Sequence, residues 1–149
     1  MHESETRTVI LGVAASDSHV VANHLIAHAL RAKGFHVVNL GTCTTVDEFA
    51  EAHAEYPWAE AVLVGSLNGH AYEDLQDLPA ARARGLLGCP VVLGGNLSVG
   101  SRKDASHLDR LRALGVDVIL SDPALLPATL DELRGSRSSG PVPVSSTAA

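Results

Sequence analysis

Thr8-Val9-Ile10-Leu11-Gly12-Val13-Ala14-Ala15-Ser16-Asp17-Ser18-His19-Val20-Val21-Ala22-Asn23 begins with a near-continuous apolar run and passes through a short polar loop into a helical pattern. Unbroken Val, Ile and Leu, without strict alternation, marks a strand covered on both faces, as in a parallel sheet. Asp17-Ser18-His19 then stands where the strand leaves the sheet and the helix opens. On these three residues alone two readings stay open. In one, Asp17 or Ser18 is simply the helix N-cap and His19 a first-turn residue. In the other, His19 is a metal ligand: its metal-facing nitrogen must be unprotonated, and Asp17, accepting from the other ring N–H, would fix the tautomer and raise basicity. The positive end of the helix dipole also disfavours imidazolium.

The same apolar run recurs along the chain. Strands are expected at Thr8 to Ala14, Phe35 to Leu40, Ala61 to Val64, Pro90 to Leu93 and Val116 to Leu120. Helical spacing fills the intervals at about Ser18 to Lys33, Val46 to Tyr56, Tyr72 to Arg84 and Asp104 to Leu114, with a last helix near Leu125 to Arg134. Gly34 and Gly115 sit where helices would stop, and Thr44 or Thr45 followed by Asp47 and Glu48 marks a helix start. A β-α unit repeated in this way predicts an α/β fold, a doubly wound parallel five-stranded sheet of flavodoxin-like (Rossmann-like) order 2-1-3-4-5.

With 149 residues and 46% hydrophobic content the chain can build one domain with a real core. That domain is expected over 7–134, after an N-terminal arm at 1–6; from Gly135 to Ala149 the Gly, Ser and Pro content predicts a disordered tail. Eleven Lys and Arg against 17 Asp and Glu give a formal charge of −6, with acids concentrated between Asp47 and Glu60, which argues against a nucleic-acid partner. Arg102, Lys103, Arg110 and Arg112 read as a solvated helix face. The first residues lack the basic and apolar blocks of a signal peptide and no run is long enough to span a bilayer, so a cytoplasmic location and no membrane partner are expected. Cys43 and Cys89, far apart and in no metal-binding spacing, read as buried or semi-buried free thiols.

Ligands of such sheets bind beyond the carboxyl ends of the strands, where the strand order reverses. Three unusual loops fall there: Ser16 to Val20 after the first strand, Gly65-Ser66-Leu67-Asn68-Gly69 after the third, and Gly94-Gly95-Asn96 after the fourth. Glycine pairs let a large ligand approach the backbone, and Ser66 offers a small donor and acceptor. A phosphoacceptor receiver needs an aspartate at the end of the third strand, where Gly65-Ser66 stands. A flavin carrier wants a hydroxyl-rich first loop and aromatic rings, but Ala14-Ala15 opens that loop and aromatic content is 3%.

These segments resemble the cobalamin-binding domain family, whose motifs run D-x-H-x-x-G, S-x-L and G-G. Within it they are most similar to the small (sigma, S) subunits of glutamate mutase, also called methylaspartate mutase. The resemblance rests on Leu11-Gly12-Val13 before Ser16-Asp17-Ser18-His19, on Gly34 to Gly41, on Ser66-Leu67-Asn68-Gly69 and on Gly94 to Gly100, and covers roughly residues 7 to 134.

The resemblance implies adenosylcobalamin as cofactor, with His19 as lower axial ligand to cobalt in place of the cofactor's own base and Asp17 as its hydrogen-bond partner. It implies a binding set of Ser16, Asp17, Ser18, His19, Val20, Gly65, Ser66, Leu67, Gly94, Gly95, Asn96, Leu97 and Ser98, with the displaced nucleotide tail passing Ser66, Leu67, Gly94 and Gly95. Ala22 departs from the motif's glycine and Gly65 from its serine; both bear on the tail. Corrinoid methyl carriers place a helical bundle ahead of this domain and coenzyme-A-dependent mutases fuse it behind a barrel. A free-standing module instead implies a two-component carbon-skeleton mutase, an isomerase converting L-glutamate to 3-methylaspartate by radical chemistry. The substrate would be held by a large (epsilon, E) subunit in a heterotetramer. The alternative is a cobalamin carrier or sensor without catalysis.

The other histidines carry less. His24 and His28 share a helix face at i, i+4, but no Cys, Asp or Glu in a recognised spacing completes a zinc site. His70 reads as a plain loop residue, and His2, His36, His53 and His107 carry no signal.

Overall fold

The structure, a computed structural model, describes residues 7–14, 20–66, 71–94, 105–120 and 123–138. Five strands form one sheet: β1 Thr8–Val13, β2 His36–Asn39, β3 Ala61–Gly65, β4 Val91–Gly94 and β5 Val118–Leu120. All neighbours pair in parallel in the order β2-β1-β3-β4-β5, the arrangement the β-α repeat predicts. The helices are α1 Val20–Ala32, α2 Val46–Glu55, α3 Ala71–Asp74, α4 Leu78–Ala83, α5 Ala105–Ala113 and α6 Leu126–Ser138, the last preceded by a 3-10 turn at Pro123–Leu125.

Both sheet faces are buried, which is why the strands read as unbroken apolar runs. Val9, Leu11, Val37, Ala61, Leu63 and Val92 point to one face and pack with Ala27 and Leu30 of α1 and Leu126 and Leu130 of α6. Ile10, Val62, Val64, Val91 and Leu93 point to the other, against Phe49 of α2, Leu78 of α4 and Leu111 of α5. α2 starts on a capping box: Thr45 accepts the Glu48 N–H at 3.1 Å while Glu48 accepts the Thr45 N–H at 2.9 Å. Gly34 and Gly115 follow α1 and α5 with φ of +94° and +118°, left-handed geometry that only glycine adopts without strain.

Three expectations need correction. The helix expected over Tyr72 to Arg84 is two short helices. Pro79 has no N–H to donate to Leu75, and the Leu78 N–H closes on the Leu75 carbonyl instead, ending the ladder before α4 restarts. Cys43 is exposed, not buried. Gly41 and Cys43 both take positive φ in the β2–α2 connection, which turns Thr44 inward, where it bridges to Ala14, and Cys43 outward. The last helix continues past Arg134 to Ser138. Gly135 lowers helix propensity by about 1 kcal/mol but still donates and accepts; the first residue beyond it lacking an N–H is Pro141.

Candidate functional site

The carboxyl edge of the sheet is knitted across its connections. Val13 N–H donates to Gly41 O and Ala14 N–H to Gly65 O, both at 2.8 Å, and Ser66 N–H donates to Gly94 O at 2.9 Å. These bonds hold the ends of β1, β3 and β4 together at the place where the strand order reverses.

Gly65 and Gly94 are register partners across β3 and β4. Neither has positive φ, so backbone conformation does not demand glycine. Packing among the described residues does not demand it either: there a Cβ on Gly65 would meet nothing nearer than Gly12 O at 3.9 Å, and one on Gly94 would make ordinary contact with Leu120 O at 3.5 Å. By strand alternation both lie on the α1/α6 face, in line with Leu63 and Val92. The bare floor they leave therefore suits a ligand rather than the fold. Beside it Ser66 is fully buried and its Oγ has no hydrogen-bond partner among the described residues, a state costing about 1–3 kcal/mol unless something supplies one. An orphaned hydroxyl beside two side-chain-free positions fits the hydroxyl- and amide-rich tail of a nucleotide-bearing cofactor.

Of the residues expected to form the site, Gly65, Ser66 and Gly94 are brought together here, and Val20 opens α1. Ser16, Asp17, Ser18, His19, Leu67, Gly95, Asn96, Leu97 and Ser98 lie outside the described residues, as does His70. Their chain positions adjoin the ends of β1, β3 and β4. His24 and His28 are exposed on α1. Among the described residues no group of three or more His, Cys, Asp or Glu could hold a metal ion.

Asn23 belongs to none of the sequence motifs. It is only 4% exposed, its Nδ2 donates to Asn39 Oδ1 at 2.9 Å, and its own Oδ1 has no partner among the described residues. The signal available was helical spacing: Asn23, Ala27 and Leu30 share the inward stripe of α1, and Asn23 is its polar member.

The electrostatics nearby do not favour a second anion-binding site. A cavity of about 430 Å³ beside β2 and α2 is lined by Thr42, Thr44, Glu48, Glu51 and Glu55, whose carboxylates repel phosphate. Tyr72, at the start of α3, lies under the Arg110 guanidinium at 4.1 Å, and Arg110 and then Gln76 draw its phenol below the usual value. At the opposite edge of the sheet Arg7 is held above its ordinary value, chiefly by the Glu60 carboxylate, against the cost of burial.

A doubly wound sheet with its ligand floor at the switch point defines a cofactor-binding α/β domain. Residues 7–122 match the B12 binding domain family. Relatives include the glutamate mutase sigma subunit of Halobacterium salinarum, 40% identical over 85% of this chain and 85% of that one, and the glutamate mutase sigma subunit 2 of Haloarcula marismortui, 42% identical over 77% of each. A cobalamin-binding protein from Desulfitobacterium hafniense shares the fold, with a TM-score of 0.64 and 18% identity over 90% of this chain and 59% of that one. The chain belongs to the B12-binding domain family, in its branch of glutamate mutase sigma subunits.

Proposed function

We propose that this chain is the cobalamin-binding small subunit of a glutamate mutase, working in the cytoplasm with a large subunit in a heterotetramer. The observation that carries the reading is the paired Gly65–Gly94 floor beside the orphaned Ser66 Oγ, in a chain akin to glutamate mutase sigma subunits. Adenosylcobalamin would supply the radical chemistry for isomerising L-glutamate to 3-methylaspartate.

The chain's own residues bind and orient. By the family resemblance His19 would hold cobalt through a ring nitrogen, and Asp17 would accept its other ring N–H, which would hold the tautomer and raise basicity. The amino end of α1 disfavours imidazolium and keeps that nitrogen free. Gly65 and Gly94 would let the tail approach the sheet and Ser66 would exchange a hydrogen bond with it; by the family resemblance Ser16, Ser18, Val20, Leu67, Gly95, Asn96, Leu97 and Ser98 would complete the binding set. Excluding water from the reactive face is left to the large subunit.

The test is spin resonance of the cobalt(II) complex. The wild-type spectrum should show hyperfine splitting that changes when histidine is labelled with nitrogen-15, and His19→Ala should abolish it. An unchanged spectrum in the variant would return Asp17-Ser18-His19 to the role of a helix cap.

A further inference from the structure

Asn23 presents a second buried acceptor without a donor, and the direction of its amide follows from its neighbours. Asn39 Oδ1 accepts the backbone N–H of Gly41 at 3.0 Å, which identifies that atom as the oxygen. The same oxygen takes a second bond at 2.9 Å from Asn23, so Asn23 must turn its NH₂ toward Asn39. Its Oδ1 is thereby committed to the other side, on a residue only 4% exposed, and has no hydrogen-bond donor among the described residues. Flipping the amide would set oxygen against oxygen, so the orphan cannot be relieved from within the described protein.

The position bears on the cofactor. Asn23 lies in the first turn of α1, on the stripe facing the sheet, and α1 covers the same sheet face as the bare Gly65 and Gly94. We infer that Asn23 Oδ1 is a binding residue for the nucleotide tail of cobalamin, accepting a ribose hydroxyl or the amide N–H that joins the tail to the corrin. The inference rests on the reading above that the tail is threaded into this face. Asn39 acts as its positioning residue, since the doubly accepting oxygen locks the Asn23 amide into the acceptor orientation.

The experiment compares cobalamin with cobinamide, which has the corrin ring but no nucleotide tail, by spectrophotometric titration of the full chain. Wild type should prefer cobalamin. Asn23→Leu, which keeps the bulk and removes both polar atoms, should weaken cobalamin about fivefold, the worth of one neutral hydrogen bond, and leave cobinamide unchanged. Asn39→Asp, whose carboxylate still accepts from both Gly41 and Asn23, should keep the wild-type preference. Asn23→Ala stands beside the leucine variant in case the branched side chain prevents folding, with the melting curve of each cofactor-free variant as control. An unchanged cobalamin affinity in a folded Asn23 variant, or an equal loss for both ligands, overturns the assignment. A wild type that does not distinguish cobalamin from cobinamide overturns the threaded-tail reading itself.

Discussion

A Cβ built on Gly12 would stand 2.9 Å from the ring of Phe49, closer than side chains pack, and 3.1 Å from Thr44 Oγ1. Gly12 therefore keeps β1 in contact with α2, whereas Gly65 and Gly94 have room for a side chain that they lack. Gly12→Ala should destabilise the cofactor-free protein by about 1–3 kcal/mol, the usual cost of overpacking a core, as read by denaturant unfolding.

Gly65→Val should do the reverse. The branched residue suits a strand and meets little in the apoprotein, so the melting curve should hold, while cobalamin binding falls by about tenfold or more as the floor is filled. Loss of fold in Gly65→Val would mean that the glycine serves the sheet.

Asp17→Asn keeps the shape but removes the anionic acceptor of the imidazole N–H. Losses of this kind cost about 10- to 100-fold in metal affinity or activity, and the drop should appear with an unchanged circular dichroism spectrum. Wild-type behaviour in the variant would assign Asp17 to helix capping alone.

Arg82 ties α4 to three backbone segments. Its guanidinium donates to the carbonyls of Leu87, Cys89 and Gly115 at 2.7–3.1 Å and pairs with Asp117, which also accepts the Val91 N–H at 2.8 Å. Arg82→Met should lower stability by roughly 2–4 kcal/mol, because several half-buried carbonyls lose their donor together. Arg82→Lys should recover little of it, since a single ammonium cannot span that fork.

Arg7 bonds Glu60 through two nitrogens, at 2.8 and 2.9 Å, and lies 4.7 Å over the Phe35 ring. Arg7→Met should cost about 2 kcal/mol, most of it from the half-buried Glu60 pair rather than from exposed Asp131. The folded-state value of Arg7 is raised, so its protonation linkage is fully present below the unfolded value and lost only as pH rises through the higher folded one. Melting of wild type from about pH 6 to about pH 9 should show no transition traceable to Arg7.

Purified alone, the chain should bind cobalamin and show no isomerase activity; adding a glutamate mutase large subunit should produce 3-methylaspartate. Failure with every cognate large subunit would favour a carrier or sensor.

The place of the candidate site was legible because glycine and serine at strand ends stand out against apolar runs: Gly65, Ser66 and Gly94 could be put at the carboxyl ends of β3 and β4 from their place in the β-α repeat, and the structure brings them together there. The break between α3 and α4 was written in Pro79 but masked by apolar spacing that continues through it. Asn23 was not legible as a site residue. A lone polar residue on a helix stripe signals burial, and whether its amide finds partners depends on Asn39, which approaches only once β2 is laid beside β1.

Sequence alone determined the number of β-α units, the parallel sheet, the helix stops at Gly34 and Gly115 and a helix start at Thr44 or Thr45, because each follows from residues within a turn or two of one another. Only the tertiary structure decided that Gly65 lies in register with Gly94, that Cys43 faces outward, and that Ser66 and Asn23 are buried without a full set of partners. Periodicity says which side of its own element a residue occupies. Which atoms from distant segments it then meets, and whether they satisfy its hydrogen bonds, is settled by strand order and register, which bring those segments together only in the folded chain.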